Sequence, residues 1–112
     1  VPGAISEEAY QEYLKSFTRT GAIHSMCEDY RAVNLDMRHD LEDGDKKITC
    51  PVLALWGSGQ SQHPGWPSMH LDVVKEWKKC AHDVRGWGID CGHFMPEEAA
   101  EATFAAIIDF LA

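Results

Sequence analysis

Positive charge is scarce in this 112-residue chain: 10 Lys and Arg stand against 18 Asp and Glu, a formal net charge of -8. A surface so poor in cations gives no electrostatic footprint for phosphate backbones or anionic lipid, which argues against nucleic acid and membrane as partners. Long apolar runs are missing too, and none approaches the ~20 residues that a membrane helix needs. The four cysteines, Cys27, Cys50, Cys80 and Cys91, show no C-x-x-C spacing. With no signal-peptide pattern ahead of them, we expect four reduced and mostly buried thiols in a cytoplasmic protein rather than two disulfides. The first residues are Val1-Pro2-Gly3, without Met, as expected of a processed chain or a piece of a longer one.

What is present is ordinary soluble composition, 45% hydrophobic and 25% charged, in a length that supports one small core and not two. Ser6 is placed to cap a helix with Glu7 and Glu8 in its first turn, where the helix dipole favours acids. Tyr10, Tyr13, Leu14 and Phe17 then fall on one helical face. Thr18 to Gly21 reads as a break. Ile23, Met26, Cys27 and Tyr30 repeat the same spacing in a second helix, which gives way to a polar stretch and a loop around Asp43-Gly44-Asp45.

Ile48 to Trp56 is the clearest strand, apolar without interruption after Pro51, as suits a parallel strand buried on both faces. Gly57-Ser58-Gly59 ends it, with a Gln-, Pro- and Gly-rich loop to about Ser68. Leu71, Val74 and Trp77 suggest an amphipathic helix to about Ala81. Asp83 to Asp90 reads as a shorter strand, and Phe104, Ile107, Ile108 and Leu111 give a final helix its buried stripe. Strand, helix, strand, helix argues for a parallel sheet with right-handed crossovers. Two strands alone leave two edges, so the Ile48–Trp56 strand asks for a further neighbour.

The chemistry concentrates at Cys91-Gly92-His93-Phe94, between the second strand and the helix opened by Pro96-Glu97-Glu98. A histidine on a tight loop above a sheet edge can take and return a proton near neutral pH. Gly88-Ile89-Asp90-Cys91-Gly92 formally matches the Asp form of a nucleophile elbow. Asp90 lies only three residues before His93 on the same strand end, where the two side chains cannot bracket a substrate, so the match is set aside. Gly57 to Pro67 holds no Asp or Glu to orient the imidazole. Gly57-Ser58-Gly59 is too short for a phosphate loop. His39-Asp40 and the pair His63 and His70 lack a third ligand at suitable spacing and read as exposed polar residues. Trp66, Trp77 and Trp87 read as packing residues.

Taken together, Cys27-Glu28-Asp29-Tyr30-Arg31-Ala32, the Ile48–Gly57 strand, Asp83-Val84-Arg85-Gly86 and Cys91-Gly92-His93-Phe94 resemble the C-terminal part of an α/β-hydrolase. More narrowly, the set is similar to the haloacetate (fluoroacetate) dehalogenase family. The resemblance implies an α/β fold, incomplete by itself: residues 1–47 as the end of a helical cap, and 48–112 as the closing strand-helix-strand-helix of the hydrolase core. It implies that His93 is the catalytic base and that Tyr30 helps hold the departing halide. The implied reaction is attack of an Asp carboxylate on the carbon bearing the halogen, then hydrolysis of the ester with the histidine as base.

The implied nucleophile, its orienting acid and the substrate-carboxylate arginines precede this segment. The implied partner is a halogenated short carboxylic acid, with neither metal nor organic cofactor. A homodimer, or pairing with the preceding part of the protein, is a further expectation. An epoxide hydrolase or a Ser esterase of the same fold, or a non-catalytic interaction subunit, stay open as alternatives on sequence alone.

Overall fold

The computed structural model describes residues 3–59 and 72–112, in two compact units: Ile5–Lys46, and Lys47–Ala112 with Val1–Ala4. The first unit holds α1 (Glu7–Phe17) and α2 (Ala22–Asp43). Ser6 caps α1 by accepting the Ala9 N–H at 3.1 Å, and Glu7 and Glu8 occupy its first turn. Thr18 closes it, its N–H and its hydroxyl both donating to the Leu14 carbonyl at 3.0 and 2.9 Å. Gly21, at φ 83°, takes the left-handed conformation that only glycine adopts without strain, and α2 begins at the next residue.

Helix α2 runs through the polar stretch for 22 residues and stops at Gly44. Exposed pairs such as Glu28–Arg31 line it and contribute little to stability. Neither helix has a buried residue among those described. Tyr10, Tyr13, Leu14 and Phe17, like Ile23, Met26 and Tyr30, form apolar faces that remain exposed. Two helices alone do not enclose a core.

The second unit contains β1 (Val52–Gly57), α3 (Val73–Trp77), β2 (Val84–Ile89), α4 (Met95–Glu98) and α5 (Ala100–Leu111). β1 and β2 pair in parallel, Val52 opposite Val84 through Gly57 opposite Ile89. Pro51 has no N–H for a ladder, so β1 starts after it, and Ile48 makes only an isolated bridge to Ala81. Ala54, Ala81 and Val84 form the core, with Val52, Val73 and Val74 packed against them, so α3 covers one face of the pair. The expected loop to about Ser68, with His63 and Trp66, falls from residue 60 onward outside the described residues, as do His70 and Leu71.

Three sequence expectations are corrected. β1 is not buried on both faces: Ala54 alone is fully buried, and the remaining strand residues are partly exposed, as a two-stranded sheet dictates. Helix α5 buries Thr103 and Ala106, while its apolar stripe of Phe104, Ile107, Ile108 and Leu111 is exposed. Of the four thiols, all unpaired, Cys91 is buried and Cys27, Cys50 and Cys80 are exposed. Among the described residues no helix is long and apolar enough to cross a membrane.

Candidate functional site

The carboxyl ends of β1 and β2 are joined by short polar contacts that fix the loop carrying His93. The Gly59 N–H donates to the Cys91 carbonyl at 2.9 Å, and the Ser58 hydroxyl donates to the Ile89 carbonyl at 3.0 Å. A Cβ on Gly57 would sit 1.8 Å from the Gly92 carbonyl oxygen, and one on Gly59 would sit 2.8 Å from that of Cys91. Glycine at both positions is what lets the two strand ends approach so closely. In open parallel sheets, ligands bind beyond these carboxyl ends.

His93 stands exposed on that loop, its ring meeting the Phe94 ring edge-on with centroids 5.3 Å apart and an interplanar angle of 77°. The residues on either side of it are held by one carboxylate. Glu98 Oε2 accepts the Gly92 N–H at 2.8 Å, and Oε1 accepts the Phe94 N–H at 3.1 Å. A Cβ on Gly92 would lie 2.6 Å from Oε2, so any other residue there would have to push the carboxylate aside. These backbone bonds, with a smaller contribution from His93, hold the Glu98 carboxyl below its ordinary pKa.

Burial, followed by the negative charges of Glu98 and Asp90, pushes the Cys91 thiol up. A thiol kept protonated is a poor nucleophile, so Cys91 is a packing residue here.

Other residues singled out by sequence lie on other elements. Tyr30 lies on α2 in the first unit, 79% exposed. Asp90 is exposed just past β2, and the next helix begins only at Met95, so no helix follows it directly as an elbow requires. His39 and Asp40 lie near the end of α2, and among the described residues no group of three could hold a metal. Trp77 and Trp87 are on the surface rather than in the core.

The sequence reading places Glu98 only in the opening of a helix, although a signal for its further contact exists. An acid in the first turn of a helix can reach back to the N-cap backbone N–H, as in a capping box, and Phe94 is the N-cap of α4. Glu98 does so from one position further along than the usual box, and it takes a second N–H beyond the cap.

No family model matches the chain. A soluble epoxide hydrolase from Corynebacterium sp. (strain C12) is 31% identical over 99% of this chain and 36% of its own length. A fluoroacetate dehalogenase from Burkholderia sp. is 30% identical over 93% of this chain and 33% of its own length. A crystal structure of ALR0039, a provisionally assigned α/β-hydrolase from Nostoc sp. PCC 7120, superposes with a TM-score of 0.86 at 42% identity, over 100% of this chain and 37% of that one. The chain thus spans about a third of the length of the curated relatives that it matches. With its two parallel strands, the chain has the fold of the C-terminal portion of an α/β-hydrolase.

Proposed function

We propose that this chain is the histidine-bearing portion of a hydrolase that dehalogenates a short haloacetate-type acid through an aspartyl ester. The observation that carries this reading is His93 itself, exposed at the carboxyl end of β2 on a loop fixed by Glu98. An Asp carboxylate oxygen, supplied from outside this chain, attacks the carbon bearing the halogen. A C–O bond forms, and the halide leaves with the bonding pair. His93 then takes a proton from water, and the resulting hydroxide attacks the ester carbonyl carbon. The adduct expels the substrate alkoxide, which takes the proton back from the His93 imidazolium to give the hydroxy acid. The Asp carboxyl loses its proton to solvent, which regenerates the carboxylate. By its resemblance to the dehalogenase family, Tyr30 has the role of helping to hold the departing halide through a hydrogen bond from its hydroxyl, which keeps its proton. Similarity to a fluoroacetate dehalogenase supports this substrate class.

A second reading is favoured by the similarity to a soluble epoxide hydrolase over 99% of the chain. In that reading the Asp carboxylate attacks an epoxide carbon, and the ring C–O bond breaks to leave a hydroxyalkyl ester once its oxygen is protonated. His93 activates the water that hydrolyses it. Assaying the full-length protein against fluoroacetate, chloroacetate and a simple terminal epoxide separates the two, by halide release or by diol formation. In either case, His93→Ala should accumulate the covalent ester, detected by mass spectrometry, with turnover reduced at least ~100-fold. Unchanged turnover in that variant would sink both readings.

A further inference from the structure

The carboxylate of Glu98 bonds to two backbone N–H groups, and the single residue between those two donors is His93. We propose that Glu98 is a positioning residue for the reaction: its bidentate bond to Gly92 and Phe94 sets the direction of the His93 imidazole. This rests on the reading of His93 as the base.

Three features support a role beyond capping a helix. First, α4 has four residues, and a cap on so short an element has little helix to stabilise. Second, the bond to Gly92 reaches outside α4, to the far side of the histidine, where it does nothing for the helix. Third, the surroundings leave the loop little freedom to shift in compensation. Gly92 has its carbonyl against Gly57 and its N–H bonded to the Glu98 carboxylate, and the Cys91 carbonyl accepts from Gly59. The peptide groups flanking His93 are therefore held on one side by β1 and on the other by Glu98. The imidazole is left with its own two side-chain torsions and an edge contact to Phe94. A general base displaced by even about 1 Å loses rate steeply, because proton transfer needs hydrogen-bond reach in the transition state.

The test uses the full-length protein with Glu98→Gln and Glu98→Ala, and Glu98→Asp as a shorter carboxylate. Glu98→Gln keeps one acceptor but turns an NH2 group toward one of the two donors. Expected are a kcat reduced ~10-fold or more with KM unchanged, no rescue by Asp, and slowed release of the covalent ester in single turnover. A substrate-binding role would instead raise KM. If kcat stays within twofold while only the melting temperature falls, Glu98 is merely a structural cap and the proposal is overturned.

A geometric measurement decides the point without turnover. NMR relaxation of the His93 ring and amide exchange at Gly92 and Phe94 should show both loosened in Glu98→Gln. An unchanged ring and amides overturn the proposal even in an active enzyme. If the unaltered protein hydrolyses no haloacid or epoxide, the reading of His93 fails separately, and these NMR data alone decide whether Glu98 orients the ring.

Discussion

Gly57 closes β1 directly against Gly92, so closely that a Cβ on Gly57 would fall 1.8 Å from the Gly92 carbonyl oxygen and 2.7 Å from its carbonyl carbon. Both groups it would meet are backbone, which no rotamer change can move aside. Gly57→Ala must therefore push the histidine loop away from the strand end. Overpacking of this kind costs about 1–3 kcal/mol, and more where backbone has to move. We expect a lower unfolding midpoint in denaturant and loss of the Gly59–Cys91 hydrogen bond, visible as faster exchange of the Gly59 amide. A variant with an unshifted midpoint and a protected Gly59 amide would show that the approach is looser than described.

The sheet itself contains a second such point. Gly86 lies opposite Ala54, and a Cβ on it would sit 2.3 Å from the Ala54 carbonyl oxygen. Gly86→Ala should separate β1 from β2 at mid-register, with a destabilisation of about 1–3 kcal/mol. Circular dichroism during urea unfolding measures it. Gly44→Ala makes a useful contrast, since open space surrounds Gly44, and its φ of 56° makes the cost conformational rather than steric. About 1 kcal/mol is expected there.

How much of this was readable from residue order depends on whether a pattern has one cause or several. Ser6 followed by Glu7 and Glu8 has one structural meaning, and α1 starts there. The expected strand Ile48–Trp56 locates β1 and its end to within a residue, but the strand starts only at Val52, because Pro51 has no N–H to give a ladder. Phe104, Ile107, Ile108 and Leu111 mark a helical face, but periodicity cannot say which face meets the sheet. α5 packs on β1, and the residues that it buries are the small Thr103 and Ala106. Glu98 was obscured for a related reason. Acids in a first helical turn are already accounted for by the dipole, so the order Pro96-Glu97-Glu98 allows a bond back to the N-cap without showing which acid makes it or that it reaches on to Gly92. Gly92-His93 was legible as a candidate base; the contacts that hold it in place were not.

Thr103 offers a test of the join between α4 and α5. It is the one buried polar residue among those described, and its hydroxyl donates to the Met95 carbonyl at 3.2 Å. Thr103→Val keeps the shape and removes the donor, leaving that carbonyl without this partner, at a cost of about 1 kcal/mol. Thr103→Ser keeps the donor and loses a methyl group, for a comparable loss by a different route. Because α4 carries Glu98, the two should differ in a second measurement: amide exchange at Phe94 should accelerate in Val and stay slow in Ser. Equal exchange in both would mean that the hydroxyl does not hold α4.

The pH dependence of stability should carry the signature of Glu98. Its carboxyl is held below the ordinary value of 4.5, chiefly by the N–H groups of Gly92 and Phe94. A group whose pKa is lower folded than unfolded binds fewer protons in the native state. Its contribution is therefore complete above the unfolded value and is lost as pH falls through the folded one. The difference in melting temperature between the unaltered protein and Glu98→Gln should thus be flat above ~pH 5.5 and shrink as pH drops below 4.5. At still lower pH the protonated carboxyl, like the Gln amide, has one acceptor oxygen left, and the two curves should converge. Thermal melts at half-unit pH intervals check this. A difference that instead grew toward acid pH would mean that the carboxylate is destabilised in the fold, and that its bonds to the His93 loop are not what holds it there.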